Sequence, residues 1–197
     1  MRYKTRHKER TRRKVLKEAA AAVRQHGPGG VSVSDLMARA GLTHGGFYAH
    51  FESKDELVAE SITTMFDDRY DFFRRSFVDG RDPAEGLEAF VERYLSAAHR
   101  GAVEAGCPLP SLCGDVARLP LAARRHFTAG TERLMRTIAA LLREAGRDDP
   151  EKLAASMLAE MVGAVALSRA VADLELSDRI LTATRDAIKR RIGLETT

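Results

Sequence analysis

Cysteine is scarce in this chain, and long apolar runs are missing from it. The 197 residues contain two cysteines, Cys107 and Cys113, and no export signal, which excludes a disulfide framework and predicts reduced thiols. No apolar run approaches the roughly 20 residues that cross a bilayer, and the basic start lacks the apolar stretch of a secretory signal. We therefore expect a cytoplasmic protein with no membrane partner.

The motifs of common enzyme classes are also missing. The sequence contains no Gly-x-Ser-x-Gly, no His-Glu-x-x-His and no Cys-x-x-Cys. The glycine-rich run at Gly27 follows a helical pattern, so it is a helix breaker and not a dinucleotide-binding loop. His44 and His50 lie six residues apart with no cysteine or carboxylate at ligand spacing. We expect neither catalysis nor a cofactor nor a metal site.

Positive charge is concentrated at the start of the chain. Residues 1–26 hold ten Lys or Arg and two Glu, whereas the net charge of the whole chain is only +4, so the remainder is acidic. A basic segment suits a polyanionic partner, because neutralised phosphates release counterions and supply sequence-independent affinity. A solvated basic tail is the alternative, and a membrane-surface helix is disfavoured by the lack of bulky aromatic anchors. Nucleic acid is the leading expected partner.

Helical spacing of apolar residues runs through almost the whole chain. No stretch of four or more residues has the alternation and β-branched enrichment of a strand. The fold is therefore predicted to be all-α. The predicted helices are one ending before Gly27, short ones ending at Ala40 and spanning 44–50, a long one from Ser53 to about Gly80, and others beginning at Pro83, after Pro110, near Pro120, at 151 and after Ser177.

The segment from Val31 to Leu57 has the layout of a helix-turn-helix. Ser32 or Ser34 caps its first short helix, Gly41 supplies the turn, and a Ser/Glu capping box starts the long helix that follows. One set of apolar residues is spaced to bury a face against the first helix: Leu36, Leu42, Phe47 and Phe51. The residues left to face outward are Thr43, His44, Gly45, Gly46, Tyr48 and His50.

This segment resembles the DNA-binding signature of the TetR family. That signature is a basic first helix, a helix-turn-helix ending in Gly-x-x-x-Gly-x-x-Tyr-x-x-Phe, and a following Lys-x-x-Leu. The residues that match it are Gly41, Gly45, Tyr48, Phe51, Lys54 and Leu57. The resemblance covers roughly residues 10–58 and is specific, because several fixed offsets agree at once. It implies about nine helices, a dimer bundle made by the last two, and an effector pocket between the middle helices.

The same resemblance implies which residues meet DNA. Thr43, Tyr48 and Lys54 would hold phosphates, while His44 and the paired glycines would lie nearest the bases. Because those glycines have no side chain, base specificity has to come from His44, the preceding helix and DNA shape. The predicted DNA-binding set is Ser32, Ser34, Thr43, His44, Gly45, Gly46, Tyr48, His50 and Lys54.

Two domains are predicted, a DNA-binding domain over residues 1–54 and an effector-binding and dimerisation domain over 55–197. The aromatic residues that would line an effector cavity, or equally fill a dry core, are Phe66, Tyr70, Phe73, Phe90, Tyr94 and Phe127. The helix over 151–173 is apolar on more than one side, and a second subunit would cover one of these sides. The residues predicted at the dimer interface are Met157, Met161, Val165, Ile180, Thr184 and Ile188.

The two cysteines allow two interpretations. Cys107 lies near the predicted start of a short helix, where the helix dipole favours a thiolate, and this suggests a sensor of oxidants or electrophiles. The alternative is that Cys107 and Cys113 are small buried apolar residues. If both are helical, about 9 Å of helical rise separates them, too far for a disulfide.

The predicted function is a homodimeric transcriptional repressor that leaves its operator when a small effector binds. Recognition helices about 34–36 Å apart in a dimer fit successive major grooves, so the operator is expected to be an inverted repeat. The alternatives are an effector-independent or activating DNA-binding regulator, and a redox or electrophile sensor acting through Cys107. An all-α enzyme is disfavoured by the missing motifs.

Overall fold

A computed structural model describes residues 2–194, with side chains from residue 6 onward. The outer limits of the two predicted domains, at residues 1 and 195–197, lie outside the described residues. Over the described part the chain is all-helical, as predicted. The elements are α1 (Arg2–His26), α2 (Val33–Arg39), a 3-10 helix (His44–Ala49), α3 (Lys54–Phe73), a π-helical turn (Arg74–Val78), α4 (Pro83–Tyr94), α5 (Ala97–Gly101), α6 (Pro108–Val116), α7 (Leu121–Glu144), α8 (Pro150–Ala170) and α9 (Leu174–Arg191).

The N-terminal helices form where the helix signals of the sequence lie. Ser32, rather than Ser34, caps α2, because its hydroxyl accepts a hydrogen bond from the Asp35 amide at 3.3 Å. Gly41 has a φ of +72°, the left-handed conformation that turns the chain after α2. The next segment, His44–Ala49, is a 3-10 helix with 3.0 residues per turn, and we call it the recognition segment.

The long helix α3 packs along α1 on one side and along α7 on another. Its first residues are capped by the Ser53 hydroxyl, which accepts from the Glu56 amide at 3.1 Å, and the Glu56 carboxylate accepts from the Glu52 amide. After Phe73 the helix continues as one π-helical turn and stops before Gly80, close to the predicted end. The sequence pattern does not predict α5, since five residues are too few for a helical period to repeat.

In the C-terminal half, α8 packs against both α7 and α9. By length and composition α8 could cross a membrane, although its sequence has no uninterrupted apolar run of that length. The signal is weak, because a core helix of a water-soluble protein passes the same test, and 39% of its apolar window is buried in the fold.

Four residues predicted at the dimer interface belong instead to the core of the protomer. Met157, Met161, Val165 and Ile188 are fully buried, whereas Ile180 and Thr184 are half-buried. The first three repeat every four residues along the side of α8 that packs on helices of the same chain. A helix that is apolar on two sides does not reveal from its sequence which side meets its own core.

The junction between the π-helical turn and α4 depends on a glycine. A Cβ at Gly86 would overlap the Phe77 carbonyl oxygen, whereas a Cβ at Gly114 in α6 would meet no atom within 4 Å. We expect Gly86→Ala to lower the free energy of unfolding by about 1–3 kcal/mol through overpacking. The control Gly114→Ala should be neutral or stabilising by up to about 1 kcal/mol. Equal stabilities of the two variants in chemical denaturation would contradict this close approach.

Candidate functional site

The outer side of the recognition segment is a polar, exposed surface. Thr43, His44 and Gly45 are exposed, and the Tyr48 side chain is 70% exposed. Its ring packs edge-on against Phe47 at 5.2 Å between centroids, and Phe47 itself is buried. Tyr48 is therefore held at its base by the core while its hydroxyl faces solvent, an arrangement suited to a phosphate contact.

Two predicted DNA-binding residues do not face outward. Gly46 is half-buried, and a Cβ there would meet the Met37 side chain at 3.6 Å. His50 is also half-buried, with its Nδ1 atom enclosed, and desolvation by burial lowers its pKa, helped by the nearby positive charge of Lys8. His50 lies one residue past the end of the 3-10 helix, and its carbonyl oxygen accepts a hydrogen bond from Arg12, which keeps this end of the segment next to α1.

The remaining predicted residues flank this surface. Ser32 and Ser34 are exposed at the start of α2, and Lys54 is the half-buried first residue of α3. The Lys54 ammonium lies 3.4 Å from the Gly29 carbonyl oxygen, which holds it beside the exposed amides at the α3 N-terminus.

Arg12 of α1 ties the recognition segment to α3. Its guanidinium pairs with the carboxylates of Glu56 and Glu60, donates to the His50 carbonyl at 3.2 Å, and stacks 4.6 Å above the Phe51 ring. The hydrogen bond to Arg12 lowers the pKa of Glu60, and the same bond raises the pKa of Arg12. The charge count along the chain places Arg12 among the residues that face a polyanion, whereas Glu56 and Glu60 neutralise its charge within the fold.

Other basic residues of α1 are also used internally. The Lys14 ammonium donates to the Ala40 carbonyl at 2.8 Å, and Arg24 is buried. Among residues 6–26, the exposed lysines and arginines are Arg6, Lys8, Arg10, Arg13, Lys14 and Lys17, of which Lys14 is already engaged with the Ala40 carbonyl. The surface charge next to the recognition segment is therefore smaller than the count along the chain predicts.

A cavity of about 140 Å³ lies between α3, α4 and α7 and the segment that leads into α6. Five of the six predicted aromatic residues line it: Phe66, Tyr70, Phe73, Phe90 and Tyr94. Phe127 does not, because its half-buried ring packs edge-on behind Phe66 at 5.7 Å. Gly130 faces Phe66 across the wall, where any Cβ would overlap the ring.

One end of the cavity is polar and deeply buried. His99 bridges two elements there: its Nδ1 lies 2.7 Å from the Tyr94 carbonyl oxygen, and its Nε2 accepts from the Cys107 amide at 3.1 Å. Since Nε2 accepts, the proton is on Nδ1, and burial lowers the pKa of His99 to about 4. The imidazole is neutral at physiological pH and closes the cavity between α5 and α6.

Cys107 is buried at this end, and Cys113 is exposed; both are free thiols. The expected stabilisation of a Cys107 thiolate is wrong for this structure, because desolvation by burial raises the pKa of Cys107. The helix that begins at Pro108 does not overcome this desolvation.

The sequence pattern does not predict the charged part of the cavity wall. Arg69, Arg93 and Arg133 contribute to the lining beside the aromatic rings. An arginine between polar residues on an amphipathic helix looks like part of a solvated face. The sequence holds no signal that separates such a solvated arginine from one that lines a cavity. Among residues 6–194, no group of three or more His, Cys, Asp or Glu side chains is arranged to hold a metal ion.

An all-helical chain with an N-terminal helix-turn-helix and a helical body around a cavity defines a DNA-binding regulator. Residues 15–61 match the family described as bacterial regulatory proteins, tetR family, and residues 83–184 match the tetracyclin repressor-like C-terminal domain. Because these matches cover more than half of the chain, the protein belongs to the TetR family of transcriptional regulators.

Solved structures share the whole fold. A TetR transcriptional regulator from Chloroflexus aurantiacus J-10-FL is 26% identical with a TM-score of 0.79, covering 94% of this chain and 97% of that one. The reduced form of NemR from E. coli is 18% identical with a TM-score of 0.80, covering 91% and 95% of the two chains. The similarity to NemR is one of fold alone, so it gives no information about the role of Cys107 or Cys113 in this chain.

A curated relative matches over a shorter stretch. The HTH-type transcriptional repressor KstR2 of Rhodococcus jostii (strain RHA1) is 32% identical over 86 residues, which are 44% of this chain and 42% of that repressor. The chain therefore aligns with less than half of this relative's length.

Arg12→Gln tests the clamp between the recognition segment and α3. We expect it to lower the free energy of unfolding by about 1–2 kcal/mol and to weaken DNA binding, while the dependence of affinity on salt stays unchanged. The matched control Arg13→Gln changes an exposed neighbour, and should reduce the salt slope by about one with little effect on stability. Equal loss of slope in both variants would show that Arg12 holds a phosphate.

The neutral His99 predicts how stability depends on pH. Its pKa is about 4 in the folded protein and near 6.5 in an unfolded chain, so the unfolded state binds more protons between these values. The free energy of unfolding should therefore fall as pH is lowered from about 6.5 toward 4. His99→Gln, which keeps a donor and an acceptor, should flatten this part of the curve in thermal unfolding. His26→Gln, at an exposed position, should leave its shape unchanged.

Proposed function

We propose that the protein is a dimeric repressor that leaves an inverted-repeat operator when a small molecule fills the cavity. The observation that carries this is the double role of α3. Its first turns follow the recognition segment and are held by Arg12, and its second half supplies Phe66, Arg69 and Tyr70 to the cavity wall. The 20 residues of α3 span about 30 Å, so one rigid element joins both sites.

Release requires the ligand to prefer the form that does not bind DNA. A ligand wedged between α3 and α7 would shift the cavity half of α3, and the Arg12 clamp would carry the recognition segment with it. In a dimer the two recognition segments have to meet successive major grooves, so a small rotation of each spoils their spacing. The relative KstR2 is a transcriptional repressor, which supports repression as the sign of control.

The outer sides of α8 and α9 support dimerisation. The Leu167 side chain is 57% exposed and that of Leu174 is 69% exposed. Small residues accompany Leu167 along the outer side of α8, where Gly163 has no atom within 4 Å of a Cβ position. A long apolar face with small residues lets a second helix pair approach closely, as in a four-helix bundle. Half-buried Ile180 and Thr184 lie on the same pair of helices.

Leu167→Glu tests this surface against a matched control. We expect the variant to be a monomer by sedimentation and to lose most of its operator affinity, because a charge in the centre of an apolar interface is left unpaired. Leu121→Glu, at a leucine of α7 that is 58% exposed, should remain dimeric. A dimeric Leu167→Glu protein would place the interface elsewhere.

The central experiment is selection of bound sites from a random DNA pool at near-physiological salt, with the mass of the protein measured in the same buffer. Recovery of an inverted repeat by a dimer supports the proposal and supplies the probe for ligand titration. Enrichment of no sequence by a monomer would overturn it. An operator-bound protein that no ligand releases would favour the effector-independent or activating alternative.

A further inference from the structure

The cavity is divided into an apolar part and a polar end. The rings of Phe73, Phe77 and Phe90 pack against one another with centroids 4.7–5.7 Å apart and form one wall. Aromatic edges and faces of this kind suit a flat apolar ligand. The volume of about 140 Å³ is that of a cavity that accepts one six-membered ring.

The polar end holds an unused hydrogen-bond donor. Tyr94 is buried, with only 6% of its surface exposed. Its hydroxyl lies beside the Cys107 thiol without a hydrogen bond of normal geometry. A buried hydroxyl without a partner is costly, so such a group in a cavity wall points to a ligand acceptor. The neutral His99 offers no competing acceptor, because both its nitrogens are already used.

Three arginines surround this end without a carboxylate partner. Arg24 donates to the Glu104 carbonyl at 2.9 Å, Arg69 donates to the Ala105 carbonyl at 3.0 Å, and Arg169 donates to the His99 carbonyl at 3.1 Å. Within the described side chains none of the three forms an ion pair. The Asp68 carboxylate acts on Arg24 and Arg69 through space but forms an ion pair with neither. The segment between α5 and α6 is thus held by positive groups that lack a carboxylate at contact distance.

We propose that the cavity binds a small aromatic carboxylate, with its ring against the phenylalanines and its carboxylate at the Tyr94 hydroxyl, facing the positive end. The inference rests on the proposed effector role of this cavity. The positive charge favours an anion over a neutral or cationic molecule of the same shape. The cavity size favours one ring over a long chain.

The test is a calorimetric titration of the DNA-free protein with three probes of similar shape. The probes are benzoate, benzamide and benzylamine. We expect benzoate to bind at least tenfold more tightly than benzamide, and benzylamine to bind most weakly. Equal affinity for benzoate and benzamide would overturn the anionic assignment. Absence of saturable binding by any probe up to millimolar concentration would overturn the one-ring site.

Two variants locate the carboxylate. Tyr94→Phe keeps the ring and removes the hydroxyl, so benzoate affinity should fall about tenfold while benzamide affinity changes less. Arg69→Gln should also weaken benzoate, whereas the control Arg125→Gln, an exposed arginine of α7, should not. Unchanged benzoate binding by folded Tyr94→Phe protein would overturn the assigned pose.

Failure of this inference is separate from failure of the proposed function. The titration contains no DNA, whereas site selection contains no ligand. A protein that selects an inverted repeat but binds none of the three probes remains a regulator whose ligand is of another class.

Discussion

The packing of α3 between α1 and α7 is the constraint on which both sites depend. Leu57, Ile62 and Met65 of α3 are fully buried, so its position relative to its neighbours is fixed by close packing along its length. Arg12 adds hydrogen bonds and ion pairs that join α1, the recognition segment and the first turns of α3. The recognition segment, with six residues and paired glycines, has little conformational preference of its own and takes its orientation from this support.

Local signals predicted the helix-turn-helix well. The offsets of Phe47 and Phe51, the Ser32 cap and the turn at Gly41 each act within a few residues, so their consequences are visible in the sequence. The phase of the recognition segment was not visible. The segment is a 3-10 helix that ends at Ala49, and His50 beyond it is held toward α1 by the long-range contact of its carbonyl oxygen with Arg12, which no local pattern encodes.

Long-range packing explains the other differences. Met157 and Ile188 are apolar residues that suit a protomer core and a dimer interface equally, and only the positions of α7 and α9 decide between them. Cys107 has the helix-start position of a reactive thiol, but the segment folded over it removes solvent and raises its pKa. The arginines at the cavity face carbonyl groups from loops far away in sequence, which no periodicity encodes.

Arg24 has a mechanical consequence, because it belongs to the same helix as Arg12. Arg24 donates to the segment beside the cavity, and Arg12 donates to the end of the recognition segment. Twelve residues, or about 18 Å of helix, separate the two arginines. Arg12 pairs with Glu60 and Arg24 donates to the Met65 carbonyl, so α1 and α3 are joined at two places along their length. A displacement of α3 at the cavity would therefore reach the recognition segment through both helices, and loss of either arginine would leave only one of these connections.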